Sequence, residues 1–478
     1  MHHSQVIELV WRNYANGNKL FVLHCKGDLV TCPQNPEHDL TQCRNCIATT
    51  HRTIKRNLPP GVTNIFLNLQ EELIDENLLL GAFTNQNVLK DFTFNDIPFG
   101  KMVLNQLVDK QQDIVIPESV LKLDARKLLV NSLKLYKSAL NTLVKNEINE
   151  VYVWNGRRSS DGPVIYAAKE LGLKCNTFIS GSKPNRIWVL GDLIHSIPAN
   201  NEDLNRVVAS ELQSSGRTVV VEQAKEIFDS FEKGTSAVPG IRFFGDKWKY
   251  SIESRQFENI SKPRLVIFTS SLWEFYSTYS SETVPEDFLN PYHSIEKICN
   301  DYFILQNFEI IVRWHPNLST SGFGEKELMN NTVLNCPHAK HLLPDSPFNS
   351  YQLINSADFI VTYGSTIGIE AAYRGKISIL LGSATYKGIG AVYEPKSYLE
   401  FIEMLNKADL GPLPITRAED WAFWFGTLGS QFGFVKYISR RGFFLNRSRI
   451  SIPKSFFGKL RDVAILIFNK FNISARNC

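Results

Sequence analysis

Short apolar runs alternate with amphipathic helical stretches over most of this chain, and the alternation occurs twice. Strand-like runs cover 20–24, 64–69, 113–117, 150–154, 176–179 and 186–190, separated in several places by helical stretches, notably 121–146 and 164–171. That rhythm predicts a parallel sheet with helices on both faces. A second round begins at 264–269 and runs through helix 293–306, strand 309–313, helix 349–355, strand 359–362, helix 366–374, strand 378–381 and helix 397–406. Residues 232–262 are rich in Gly, Lys and aromatics without periodicity and read as a connection. The expected organisation is a cysteine-containing segment 1–50 of the first domain, a first nucleotide-fold domain 51–235, a connection 236–262, a second such domain 263–415, and C-terminal helices with a basic tail, 416–478.

At 478 residues the chain exceeds one hydrophobic core and suits two domains with appendages. Its 43% apolar and 21% charged residues are those of an ordinary soluble protein. No apolar run reaches membrane-spanning length, and the first residues lack an apolar signal core, so a cytoplasmic location is expected. The net charge of +4 conceals an asymmetry. From Lys436 onward ten Lys or Arg face one acid, Asp462, which puts +9 there and −5 on residues 1–435. A basic end on an acidic body points to an anionic partner for that end, and no nucleic acid is expected. Within 455–471, Phe456, Leu460, Val463, Ile467 and Phe471 share one helical face, with Lys459, Arg461 and Lys470 off its centre. That is the pattern of a basic amphipathic helix lying on an anionic membrane surface, the contact segment being 436–474. A helix docked on the first domain is the other reading.

The stretch 351–382 carries the most chemistry. An apolar strand ends in Gly364-Ser365-Thr366 and turns into a helix, a geometry that aims backbone N–H groups and two hydroxyls at one point and suits a phosphate. The strand 309–313 ends in Trp314-His315-Pro316, and the carboxyl ends of parallel strands are where open α/β sheets bind ligands. The bland alternatives are an N-cap and a plain strand terminus. No dinucleotide fingerprint follows an early strand and no P-loop motif is present, which argues against dinucleotide oxidoreductases and P-loop kinases.

With His315-Pro316, the run AD-x-x-V-T-x-G-S-T-x-G-I-E-A-A-x-x-G-K and a trailing Tyr386-Lys387-Gly388, the chain resembles bacterial surface-polysaccharide glycosyltransferases. Capsule-type Kdo transferases and sialyltransferase-like enzymes, which use CMP-activated sugars, are the nearest in pattern. Asn155-Gly156-Arg157 followed by 163–173 (PVIYAAKELGL) is similar to their N-terminal domains, so the resemblance covers about residues 150–405. It implies an α/β fold of the GT-B kind, two Rossmann-like domains facing a cleft, here with a C-terminal basic amphipathic helix. It also implies a nucleotide-sugar donor, a lipid-linked glycan acceptor, no cofactor required for catalysis, and a place on the cytoplasmic side of the inner membrane. CMP-Kdo or a related ulosonate is the first choice of donor. A CDP-glycerol-type glycerophosphotransferase, a UDP- or GDP-sugar transferase, a sugar-nucleotide 2-epimerase and a degenerate GT-B binding subunit are the alternatives. Where these families often carry an acidic residue and Gly after N-G-R, this chain has Phe178-Ile179-Ser180-Gly181.

Glycosyl transfer needs donors for the leaving phosphate, a base for the acceptor hydroxyl, and groups that orient the nucleoside. Ser365, Thr366 and His315 suit the phosphate, and in the resembling families this His contacts it. Ser270 and Ser271, with Glu274 one turn on, form either another hydroxyl-bearing loop for the donor or a helix cap. Glu370 reads as a ribose ligand or a solvated helix residue, and Lys387 as a phosphate-closing or an ordinary loop lysine. Asp161 is the first choice of base, its alternative being an N-cap, and His195 is the reserve. Asn155, Arg157 and Arg158 are placed for an anionic acceptor or the donor. Cys25, Cys32, Cys43 and Cys46, spaced C-x6-C-x10-C-x2-C, read as a structural zinc site or as reduced, buried thiols.

Overall fold

The computed structural model describes residues 3–29, 32, 35, 37–69, 72–75, 79, 81–194, 196–235, 262–276, 284–439, 442–445 and 448–451. His195, nearly all of the expected connection 236–262, and the amphipathic stretch 455–471 lie outside them. Among the described residues no helix is long and apolar enough to cross a membrane.

In the first half, β1 (Phe21–Cys25) pairs in parallel with β2 (Thr63–Leu67) and stands apart from a second sheet. That second sheet contains β3 (Glu150–Trp154), β4 (Lys174–Ser180) and β5 (Arg186–Leu190); β3 and β4 run parallel and β5 antiparallel to β4. The single parallel sheet expected here is therefore a parallel pair plus a mixed sheet. The run 113–117 is not a strand. Gln86 explains why: its side-chain amide donates to Ile114 O (2.7 Å) and its side-chain oxygen accepts from Ile116 N–H (2.9 Å). A side chain takes the backbone partners that a neighbouring strand would have taken.

The second half is the regular one. Its strands are β6 (Arg264–Phe268), β7 (Glu309–Arg313), β8 (Lys340–Leu342), β9 (Phe359–Thr362) and β10 (Ile377–Leu380), all parallel, in the order β10-β9-β6-β7-β8. Every side chain of β6 is buried, as a strand covered on both faces requires. Counting from β6 as the first strand, this is the doubly wound 3-2-1-4-5 arrangement, whose direction of winding reverses between β6 and β9. The expected helix 293–306 is two, Pro291–Cys299 and Tyr302–Asn307, because Asp301 caps the second through Ile304 N–H.

Two devices join the halves. The helix Thr416–Thr427 packs back against Arg217–Glu232, and Asp203 accepts from the indoles of both Trp188 (3.1 Å) and Trp424 (2.9 Å) inside a shared apolar cluster with Ile369 and Tyr386. The chain then re-enters the first half, where β11 (Ser430–Gln431) pairs with β5. It ends, among the described residues, in an antiparallel meander of β12 (Val435–Ser439), β13 (Gly442–Leu445) and β14 (Ser448–Ser451). The other device is Asp113. Its carboxylate accepts from Gly324 N–H (2.7 Å) and Glu325 N–H (2.9 Å), capping the helix Phe323–Asn335 from across the boundary. Glycine is needed at this approach: a Cβ on Gly322 would stand 2.4 Å from the Asp113 carboxylate, and one on Gly324 2.4 Å from Val115 Cβ.

Candidate functional site

Parallel pairing places the ends of β9, β6 and β7 side by side. Phe268 is in register with Thr362 on one side and Arg313 on the other, so two residues further on Gly364, Ser270 and His315 lie abreast. With strands about 4.8 Å apart, the three loops span about 10 Å, the scale of a nucleotide's phosphate and sugar. The winding reversal between β6 and β9 opens at this point, so the loops 269–271 and 364–366 flank the place where such sheets bind ligands.

His315 is fixed from three sides. Its N–H donates to Thr269 Oγ1 (2.9 Å), tying the β7 loop to the β6 loop. Asn317 N–H donates to His315 Nδ1 (3.2 Å), which makes Nε2 the protonated ring nitrogen. Trp314, fully buried, stacks on Tyr292 and donates to His341 Nδ1 (3.1 Å), anchoring the strand end. Burial and the nearby Arg313 guanidinium lower the ring's pKa from 6.5 to about 4. At neutral pH the ring is an uncharged imidazole offering an Nε2–H donor.

Ser270 and Ser271 are 4% and 0% exposed, and among the described residues neither hydroxyl has a partner. The helix-cap reading is not realised: Ser271 precedes helix Leu272–Phe275 without a side-chain capping bond. Two buried, unpaired hydroxyls cost about 1–3 kcal/mol each unless a ligand or water pairs them. Beside them Glu274 Oε1 accepts from Asn317 Nδ2 (2.7 Å), so this carboxylate braces the His315 loop. The loop is backed by the first half, because Trp273 and Tyr276 pack on that half's core and Leu272–Phe275 lies against helix Phe99–Gln111.

The third loop differs from expectation. The helix after it, Ile367–Tyr373, has only seven residues, so its dipole adds little. Ser365 Oγ accepts from Ile367 N–H (3.3 Å) as a local cap, and the Thr366 hydroxyl is bonded to Glu370. Glu370 is not the solvated helix residue of the alternative reading. It is 4% exposed, accepts from Tyr351 Oη (2.6 Å), and has its pKa raised by burial. Lys387 is half-buried, and its ammonium donates to Gly382 O (2.8 Å).

The structure thus brings Ser270, Ser271, Glu274, His315, Gly364 and Ser365 to one edge. Thr269, Asn317 and Glu325 belong with them and were not singled out in the sequence. Glu325, fully buried, accepts from Leu272 N–H (2.5 Å) and Tyr292 Oη (3.3 Å). Burial, with a smaller contribution from Asp113, raises its pKa to about 7.

The first-half candidates form their own cluster. Asn155 takes φ +60°, and Gly156 follows at +83°, where a Cβ would lie 2.1 Å from Ile165 Cδ1. The Arg157 and Arg158 guanidiniums pair with Asp109 at 3.3 Å and 2.8 Å, so internal ion pairs occupy groups expected to meet an acceptor. Asp161 makes no side-chain capping bond to its helix; its Oδ1 accepts from Arg158 N–H (2.9 Å) instead. Burial raises its pKa from 3.8 to about 6 against the pull of the two arginines. If Asp161 is the base, kcat/KM measured from pH 5 to 8 should fall as pH drops through about 6. The same raised value makes the native carboxyl hold a proton that the unfolded chain releases. Its stabilising contribution is complete below 3.8 and is lost as pH rises through about 6. A profile flat across pH 6 with wild-type Asp161 would remove it from that role.

Cys25 is exposed, and Cys32, Cys43 and Cys46 are half-buried, so none is a buried thiol. Among the described residues no three His, Cys, Asp or Glu side chains are arranged to hold a metal ion. Cys43 Sγ accepts from Asn35 Nδ2 and Cys25 Sγ from Gly27 N–H, each at 3.1 Å.

No family model matches this chain, and neither does any curated protein. Among solved structures it is similar to a KpsC β-Kdo 2,4 transferase of Thermosulfurimonas dismutans, at 16% identity over 57% of this chain and 79% of that one, with a TM-score of 0.36. A KpsC β-Kdo 2,7 transferase of the same organism matches at 13% identity over 67% and 88%, with a TM-score of 0.35. The UDP-GlcNAc 2-epimerase of Neisseria meningitidis bound to UDP-GlcNAc matches at 12% identity over 62% and 80%, with a TM-score of 0.28. At these scores the likeness carries no argument about the reaction, which rests on the site itself.

Proposed function

We propose that the chain is a GT-B-type glycosyltransferase that moves a sugar from a nucleotide donor, first choice CMP-Kdo or a related ulosonate, to a lipid-linked glycan of bacterial surface polysaccharide. The observation that carries the reading is the pair of buried Ser270 and Ser271 hydroxyls, without a partner among the described residues, beside the His315 Nε2–H donor at the winding reversal of a doubly wound sheet. Neutral donors held in a dry site suit the charge that develops on a leaving phosphate. The motif resemblance supplies the reaction class and the choice of donor. First-half residues around Asn155 and Asp161 would line the acceptor side of a cleft between the halves.

Thermal-shift screening against CMP, CDP, UDP and GDP tests the reading. CMP should stabilise most, adding about 2.7 kcal/mol at a hundredfold excess over Kd. A response to CDP alone, with glycerophosphate transfer, would favour the glycerophosphotransferase, and no response to any of the four would refute nucleotide binding. A binding-only subunit is the second reading, favoured by the occupation of Arg157 and Arg158 by Asp109. It would bind CMP without consuming a CMP-sugar.

The basic C-terminal segment is proposed to attach the enzyme to anionic membrane. Each basic residue near such a surface adds about 1 kcal/mol. The full chain should co-sediment with vesicles containing phosphatidylglycerol, less so at high salt, and a chain ending at Ile452 should not, while still binding nucleotide. Unfolding of the shortened chain would instead make the segment a brace.

A further inference from the structure

Two cysteines far apart in the sequence meet in the second half. Cys299 closes helix Pro291–Cys299, Cys336 follows helix Phe323–Asn335, and the two helices pack together. Their ends are tied on either side of the thiols. Asn300 Nδ2 donates to Asn335 O (3.0 Å), and Glu296 Oε1 accepts from Thr332 Oγ1 (2.9 Å) and Asn335 Nδ2 (3.2 Å). Both cysteines are free and fully buried in one apolar cluster, and their thiols are hydrogen-bonded to each other. Cys299 donates in this bond, which lowers the pKa of Cys336 and raises that of Cys299. Cys336 is therefore the sulfur that gives up its proton first, and the thiolate is the nucleophile. The pair is covered by very little chain: Leu334, Asn335, Pro337 and His338 around Cys336, and Asn300 beside Cys299, are exposed. Fraying of one helix end is an opening of low free energy and admits a small oxidant.

We propose that Cys299 and Cys336 are a reversible dithiol–disulfide site, oxidised by hydrogen peroxide and reset by a small thiol. The Cys336 thiolate attacks one peroxide oxygen. An S–O bond forms, the O–O bond breaks, and the departing hydroxide takes up the proton that Cys336 released. The Cys299 sulfur then attacks the Cys336 sulfenic acid. The S–S bond forms, the S–O bond breaks, and a second water leaves with the Cys299 proton. Two thiols are oxidised and one peroxide is reduced to two waters. A small dithiol returns both protein thiols and is itself oxidised to its disulfide. The sulfurs have only to close from hydrogen-bonding contact to about 2.05 Å. The bridge makes residues 299–336 a covalent loop that contains β7 and His315. Its end touches that strand's anchor, because Cys336 O is bonded to His341 Nε2 (3.0 Å) and His341 Nδ1 accepts from the Trp314 indole. Such a loop restricts the unfolded chain, so the oxidised protein resists unfolding. The site stands on its own geometry and does not depend on the nucleotide reading.

The test takes the folded full chain, freed of reductant, and treats it with hydrogen peroxide. Remaining thiols are then alkylated in urea and the chain is digested without reduction. Mass mapping should find the peptide holding Cys299 joined to the peptide holding Cys336, lighter than the two apart by two hydrogens. Dithiothreitol should separate them. The oxidised wild type should unfold at a higher urea concentration than the reduced one, and Cys336→Ala should lose that difference. Should this variant fail to fold, Cys299→Ala serves in its place, and the mapping needs only the wild-type chain. Peroxide that oxidises the exposed Cys25 yet leaves Cys299 and Cys336 open to alkylation would overturn the proposal. So would sulfinic acid at Cys336 without the joined peptides, or Cys299 joined to a different cysteine. A midpoint shift of the same size in Cys336→Ala would also overturn it, because the added stability would then come from other thiols.

Discussion

Replacing His315 by Ala is expected to lower turnover by about 10² or more with the fold intact. The ring's Nδ1 is occupied by Asn317 N–H, so its proton sits on Nε2, and its depressed pKa keeps it neutral through the working range. On the proposed reading, a neutral donor at a strand end would stabilise the charge that grows on the leaving phosphate as the glycosidic bond breaks. The loss should therefore appear in kcat more than in KM. Because the native ring loses its proton at about 4 and the unfolded one at 6.5, acidification through that interval costs wild-type stability. The His315→Ala chain should lose that part of its acid sensitivity. Steady-state kinetics beside melting curves at pH 7 and pH 5 check both parts. Wild-type turnover in the variant would place the phosphate elsewhere.

The largest expected effect on stability is at Glu8. Its carboxylate is fully buried and accepts from Gly433 N–H (2.7 Å), Phe434 N–H (3.0 Å) and Val435 N–H (2.9 Å), with Arg12 Nε at 2.7 Å. It thereby pins the returning chain onto the first half, where Val435 and Leu445 pack with Ile7, Phe178 and Ile187. Glu8→Ala strips one acceptor from three backbone donors at once. Each such loss costs about 1–3 kcal/mol, so a total of at least about 3 kcal/mol is expected in urea unfolding. A cost below about 1 kcal/mol would mean that the C-terminal return is not held in this way.

The second half was largely legible because its strands are buried on both faces and bounded by turn residues: 309–313 and 359–362 were placed without error. The first half was harder, since period and composition do not report strand direction. Nothing in 186–190 distinguishes an antiparallel β5 from a parallel one. Residues 113–117 have a strand's composition, and only the distant Gln86 side chain takes up their backbone groups. The site shows the same division. His315 and the serine loop could be singled out as candidates from their positions after apolar runs. Glu370 could not, because its partner Tyr351 lies 19 residues away and converts an exposed-looking helix acid into a buried, satisfied one. Glu325 and Asp113 were invisible for a related reason: their meaning lies in a contact across the two halves, which no local pattern encodes.

A crystal structure of the chain with CMP is the most direct test of the central claim. A phosphate oxygen should lie about 2.7–3.1 Å from His315 Nε2, and another within the same reach of Ser270 or Ser271 Oγ, with the nucleoside between the loops after β6 and β9. A nucleotide bound away from these strand ends, or with its phosphate turned from both His315 and the serine loop, would contradict it.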